Sequence, residues 1–175
     1  FYMQSVRNLP LAAMEDSLLI PLLRVGHSIL RRIEQPPKVI FTPTKPREIP
    51  EPYICIAVQA STPAKSWLNP DGWECVVDYL KKLGYRVLCL DRHRKCWNYG
   101  LTIEMPRDVE DMSGDYTLSE RINQLAYADF FIGISSGLSW LAWAVDIPVI
   151  LISGITARWH EFDTPYRINN PLVCH

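Results

Sequence analysis

The chain has 175 residues, 48% hydrophobic and 21% charged, a composition that fits one packed globular domain with at most a short appendage and excludes wholesale disorder. Eighteen Lys and Arg against nineteen Asp and Glu leave a formal charge of −1, which does not favour a nucleic-acid surface, and no apolar run reaches the roughly 18 residues of a membrane span. Five cysteines, an odd number, sit in apolar or helical patterns (Cys55, Cys75, Cys89) rather than a disulfide framework, and no signal-peptide order opens the chain, so a reducing, cytoplasmic compartment is expected.

Ser17 to Arg32 is apolar and basic by turns, and Pro21 and Gly26 interrupt it, which predicts a broken helix or two short ones. Pro36 to Pro52 carries six prolines and reads as a linker with a short edge strand at Lys38–Phe41. From Tyr53 the pattern becomes regular. Tyr53–Ala60 predicts a buried strand. Asn69-Pro70 predicts a helix start, with Asn as N-cap, and Gly84 its end after Lys81 and Lys82. Tyr85–Asp91 predicts a second strand, Arg92–Gly100 a basic loop, Leu101–Met105 a short strand and Pro106–Tyr116 an acidic loop. Thr117 with Glu120 three residues on is a capping-box signature, opening a helix that ends near Tyr127. Asp129–Ile134 predicts a strand, Ser135-Ser136-Gly137 a turn into a short helix through Val145, Pro148–Ile152 a strand, and Ser153–Asn170 a loop-rich stretch. The chain begins at Phe1 and stops at His175 inside a new apolar stretch, so a longer parent protein is expected.

This alternation predicts an α/β fold with a mostly parallel sheet covered on both faces. Ligands of such sheets bind outside the carboxyl ends of the strands, so the segments to read are Gln59–Lys65, Asp91–Cys96, Ser135–Trp140 and Ser153–Glu161. Ser135, Ser136, Gly137, Leu138 and Ser139 place small and hydroxyl-bearing residues at a helix start, where unpaired amides and the dipole favour an anion such as a diphosphate; a serine-capped helix without a ligand is the competing reading. Ser61 and Thr62 add hydroxyls and Lys65 a point charge on a loop of the same edge, against a merely solvated loop. Asp91 could accept from a ribose, or could pair with Arg92 or Arg94; the two readings stand level. His160 and Glu161 offer acid–base or sugar-hydroxyl chemistry, although a structural histidine is the commoner case. Neither G-x-S-x-G, C-x-x-C nor a phosphate loop is present.

Three blocks together resemble glycosyltransferase family 9, the ADP-heptose heptosyltransferases, over roughly residues 53–165: Lys65-Ser66-Trp67 through Trp73 and Leu80 to Gly84-Tyr85-Arg86-Val87; Leu118-Ser119-Glu120 through Ala128 to Gly133; and Ser136-Gly137-Leu138-Ser139-Trp140-Leu141-Ala142 with Asp146-Ile147-Pro148. Ser135 and Trp140 stand where the lipopolysaccharide enzymes usually carry Asp and His. Leu151-Ile152-Ser153-Gly154 and Glu161-Phe162 through Thr164-Pro165-Tyr166-Arg167 are more like the bacterial autotransporter heptosyltransferases. The resemblance implies the C-terminal half of a GT-B glycosyltransferase, with residues 1–52 as inter-domain segment and proline-rich linker and residues 53–175 as a nucleotide-sugar-binding Rossmann-like domain. It implies ADP-heptose as donor and serines of an autotransporter adhesin as acceptor in the bacterial cytoplasm. It puts Thr62 and Lys65 near the diphosphate, Ser136 to Ser139 at the phosphate-binding helix start, Asp91 toward the ribose, and Tyr116 and Thr117 toward the adenine. The catalytic base would come from an N-terminal domain outside this chain, leaving the chain alone inactive. The subfamily implies a homo-oligomer, a dodecamer, and an iron-binding cysteine motif whose first ligand would be Cys174 and whose remaining ligands would lie beyond His175. Two other readings remain open: a nucleotide-sugar epimerase-type GT-B domain with a UDP preference, and a non-catalytic α/β module that docks partners.

Overall fold

The computed structural model describes residues 38–98, 100–156 and 160–169, all within the compact unit from Pro37 to His175. The helical segment expected before residue 36 and the proposed metal ligand Cys174 lie outside the described residues.

Six strands form one sheet in the order β5-β2-β1-β6-β7-β8: β1 (Tyr53–Ala57), β2 (Arg86–Cys89), β5 (Glu110–Asp111), β6 (Phe131–Ile134), β7 (Val149–Ser153) and β8 (Arg167–Asn169). Every neighbouring pair is parallel, with Cys55 opposite both Leu88 and Phe131. A central strand of a sheet covered on both sides has no polar face, which is why β1 is an unbroken apolar run. Tyr53, Cys55 and Ala57 enter one core with Phe131, Leu151 and Phe162; Ile54, Ile56 and Val58 enter the other with Trp73, Val77 and Leu80. β3 (Lys95–Asn98) and β4 (Leu101–Glu104) form a separate antiparallel hairpin on the connection that follows β2.

The chain runs from β1 through α1 (Gly72–Lys82) to β2 in one direction, and from β6 through α3 (Gly137–Ala144) to β7 in the other. The two helices pack into opposite cores. The strand order therefore reverses between β1 and β6, and a topological switch point opens between the loops leaving their carboxyl ends.

Local chemistry sets the helix limits. α1 buries Trp73, Val77 and Leu80 at i, i+4, i+7 spacing, and Gly84, at φ +90°, ends it: its amide donates to Lys81 O and that of Tyr85 to Leu80 O. α2 (Leu118–Leu125) starts with the expected reciprocal box, Thr117 accepting from Glu120 N while the Glu120 carboxylate accepts from Thr117 N. α3 stops at Asp146, which takes φ +68°, with Ile147 N donating to Ala142 O.

Several expectations need correction. The first helix begins at Gly72 with Asp71 as its cap, not at Asn69-Pro70. The Trp67 ring lies so close to Gly72 that a Cβ there would come within 2.6 Å of it, and Gly72 N donates to Asn69 O, so residues 69–71 are spent in the turn. Lys38–Phe41 forms no strand. Instead Val39 N donates to Ala144 O, and Lys38 bonds Trp143 O, pairs with Asp146 and lies 3.9 Å over the Trp143 ring. Further along the proline-rich stretch, Thr44 bonds Asn123 twice and Lys45 O accepts from Tyr127, so the segment straps the domain's surface. The supposed basic loop contains β3, and the acidic loop contains β5, whose Asp111 lies beside Cys89. The loop-rich end contains β8.

Candidate functional site

The two loops at the switch point carry most of the residues singled out above. After β1, Thr62 precedes a 3-10 turn, Pro63–Lys65, closed by Lys65 N donating to Thr62 O. Lys65 is partly exposed and has no ion-pair partner among the described residues. Ser61 is exposed. After β6, the amides of Gly137, Leu138 and Ser139 precede the first intrahelical bond, from Trp140 N to Ser136 O. The space over Gly137 is open: a Cβ there would meet nothing within 4 Å. Ser136 makes no side-chain cap, and its Oγ has no hydrogen-bond partner among the described residues. The loops after two adjacent strands thus carry a lysine, hydroxyl-bearing residues and the first amides of α3, with the Ser136 Oγ itself buried; helix-start amides without intrahelical partners favour anions in general.

Other predicted residues prove structural. Ser139 Oγ is buried and donates to Ile134 O at 2.6 Å, fastening α3 to β6; Gly133 leaves the room for it, since a Cβ there would lie 2.7 Å from that oxygen. Only the Ser139 amide is left for a ligand. Ser135 is buried at the turn. Thr117 Oγ1 donates to Glu120 and accepts from its amide, so that hydroxyl is committed to the helix cap. Trp140 packs edge-on to Trp143 and Phe162, so this position is an apolar one.

Asp91 pairs with neither Arg92 nor Arg94. It is 1% exposed, and its two oxygens accept from Val58 N at 3.0 Å and Gln59 N at 3.1 Å. Burial pushes its pKa above the usual carboxylate value, against the pull of those amides. Arg92 pairs with Asp115 and Arg94 with Asp111 instead. The carboxylate thus anchors the chain where it leaves β1 for the Ser61–Lys65 loop.

Sequence reasoning missed Arg121. It is 6% exposed, and its guanidinium donates to Met112 O at 2.7 Å, Gly114 O at 2.9 Å, Asp91 O at 3.3 Å and Gln124 Oε1 at 2.9 Å. Burial lowers its pKa, opposed chiefly by Tyr116, whose ring centroid lies 4.4 Å from the guanidinium carbon. The signal was present: Arg121 stands four residues before Leu125, on the helix face that Leu125 and Ile122 bury.

At the end of β7, Ser153 donates to Glu161, and Arg167 pairs with Glu161 and donates to Ser153 Oγ; all three are largely buried. Glu161 is therefore held as an ion-pair partner rather than set toward solvent as a base. His160 is exposed, and Trp159 lies outside the described residues. Among the described residues no group of three His, Cys, Asp or Glu side chains could hold a metal ion. No helix among them is long and apolar enough to cross a membrane.

A doubly wound parallel sheet takes its ligand in the crevice at the switch point, outside the carboxyl ends of the strands. The chain belongs to glycosyltransferase family 9 (heptosyltransferase), whose model matches residues 33–171. It is 49% identical over 142 residues to the autotransporter heptosyltransferase Aah of Escherichia coli, a match that covers 81% of this chain and 36% of that protein. It is 38% identical over 143 residues to the inactive autotransporter heptosyltransferase BimC of Burkholderia thailandensis, covering 81% and 33%. Among solved structures it resembles TibC of enterotoxigenic E. coli H10407, described as an iron-containing dodecameric glycosyltransferase (TM-score 0.71, 47% identity, 76% of this chain and 34% of that one). It resembles TibC equally in complex with ADP-D-β-D-heptose (TM-score 0.72, 48% identity, 75% and 34%). The chain spans about a third of the length of the relatives it matches.

Proposed function

We propose that this chain is the donor-binding domain of a cytoplasmic, homo-oligomeric enzyme that moves heptose from ADP-heptose to serine side chains of an autotransporter adhesin. The observation that carries the reading is the switch point. Lys65 with Ser61 and Thr62 on one loop, and Ser136 with the amides of Gly137, Leu138 and Ser139 on the other, follow the adjacent strands β1 and β6 and suit a pyrophosphate. The family and the ADP-heptose complex of TibC support the donor's identity.

In the reaction the bond from the sugar's anomeric carbon to the β-phosphate oxygen breaks, and its electron pair stays on ADP. A serine oxygen forms the new bond and gives its proton to a base supplied by the rest of the enzyme. This chain's part is to hold the diphosphate and stabilise the charge that grows on it as ADP leaves. Fixed amides, hydroxyls and a lysine do this without reorganising. No step is assigned to iron, because Cys174 alone cannot form a site.

Calorimetric titration of the 175-residue chain with ADP-heptose tests the reading. Lys65→Ala should weaken binding by roughly ten- to a hundredfold, since a charge-assisted hydrogen bond contributes roughly 1.5–3 kcal/mol. UDP-sugars should bind more weakly than ADP-heptose, and no heptose should reach an adhesin fragment without the remainder of the enzyme. Equal affinity of Lys65→Ala and the unaltered chain would overturn the assignment.

A further inference from the structure

We propose that Arg167 and Thr156 form a subsite that takes a hydroxyl of the sugar carried by the nucleoside diphosphate. The inference rests on the donor-site reading above and adds to it the residues that read the transferred group. It starts from two polar atoms, Arg167 Nη1 and Thr156 Oγ1, which are shut off from solvent and have no hydrogen-bond partner among the described residues. Such atoms lose their bonds to water without compensation, and native structures keep few of them.

The two atoms belong to residues already in contact. Arg167 Nη2 donates to Ser153 Oγ at 3.0 Å and to Thr156 O at 3.4 Å, and it pairs with Glu161. Ser153 in turn donates to Glu161 Oε2 at 3.0 Å. One terminal nitrogen of the guanidinium is thus used inside the cluster, while the other and the Thr156 hydroxyl face no partner. A single oxygen that accepts from Nη1 and shares a hydrogen bond with the Thr156 hydroxyl satisfies both. Glu161 sets the charge of the group that brings it. That carboxylate, 1% exposed, already neutralises the arginine, so a further anion gains little and a neutral hydroxyl fits.

The position of the cluster on the sheet selects the sugar. Ile134 lies opposite Ile152, so the loops after β6 and β7 leave adjacent parallel strands about 4.8 Å apart. Ser136, whose Oγ is likewise buried without a partner, therefore stands beside the start of the β7 loop. Arg167 opens β8 opposite Leu151, and its side chain reaches along the sheet to Ser153. A diphosphate held between the Lys65 loop and the start of α3 has the loop of β2 on one side and that of β7 on the other. Of the two groups that a nucleotide sugar carries on its diphosphate, the sugar is the one rich in neutral hydroxyls. Its entry requires the β7 loop to part from Arg167. The bond given up there is the longest of the set, the 3.4 Å bond to Thr156 O.

The test compares ADP-heptose with ADP on the 175-residue chain by calorimetry. The unaltered chain should bind ADP-heptose more tightly than ADP. Thr156→Val, which keeps the shape and removes the hydroxyl, should weaken ADP-heptose roughly three- to tenfold and leave ADP unchanged. Arg167→Lys, which keeps a cation beside Glu161 and removes Nη1, should act in the same direction; Thr156→Val decides alone if a melting curve shows that the lysine variant does not fold. If Thr156→Val leaves ADP-heptose binding intact, or weakens both ligands in parallel, the subsite is refuted and buried water is what meets the two atoms. Equal binding of the two ligands by the unaltered chain refutes it as well, while the diphosphate reading stands. If the unaltered chain binds neither, the donor-site reading falls and takes the subsite with it.

Discussion

Asp91 shows how a residue type legible in the sequence can carry a role that is not. A carboxylate at the end of a Rossmann-like strand invites a ribose, but this one is folded inward onto two backbone amides that no neighbouring strand satisfies. What the sequence lacked was the third dimension: Val58 and Gln59 are 33 and 32 residues away, and only β1–β2 pairing brings them within reach. Asp91→Ala would leave both amides without an acceptor, at a cost of about 1–3 kcal/mol each. Differential scanning calorimetry should show a melting temperature lower by roughly 5 °C or more. ADP binding should weaken as the Ser61–Lys65 loop loosens. A variant that melts with the unaltered chain would show that the amides find other partners and that Asp91 is not the anchor.

Elements were legible where their signals are local. The Thr117–Glu120 box, the Gly84 stop and the apolar run of β1 are each written in a few adjacent residues. β5 and β8 were missed because two or three residues with no apolar run become strands only through a neighbour's register, Glu110 opposite Leu88 and Arg167 opposite Leu151. The start of α1 was misplaced because Trp67 takes the space an earlier helical turn would need. The capping box carries its own pH signature. The Thr117 hydroxyl, and then its amide, hold the Glu120 carboxyl below its ordinary value of 4.5. A depressed folded-state pKa means that this stabilisation is present above pH 4.5 and is lost as pH falls through the lowered value. Carboxyl NMR titration should find Glu120 below 4.5, and Thr117→Val should bring it back toward that value while fraying the first turn of α2. An unmoved titration curve would mean that the box does not form in solution.

At the scale of the molecule, connection handedness leaves the sheet unevenly covered. Crossovers between parallel strands are right-handed. Both β6–α3–β7 and the β7–β8 connection with its buried Phe162 therefore fall on the face that also receives α2. The other face is covered by α1, which lies over β1 and β2. Over β6 to β8 the described residues leave an apolar groove of about 620 Å³, lined by Trp67, Val76, Tyr79, Phe130, Ile150 and Ile168 among others. Tyr79, 63% exposed, and Ile168, 51% exposed, both line it. Exposed apolar surface of this kind takes up hydrophobic dyes and drives association. The 175-residue chain in native buffer should therefore brighten 1-anilinonaphthalene-8-sulfonate and elute larger as its concentration rises. Ile168→Lys, a change at an exposed position on the edge strand β8, should reduce both effects and shift stability by less than about 0.5 kcal/mol. A native chain that neither binds the dye nor associates would mean that this face is already covered by chain beyond the described residues. In that case Ile168→Lys should destabilise the fold rather than merely improve its solubility, so a melting curve of the one variant separates an open face from a covered one.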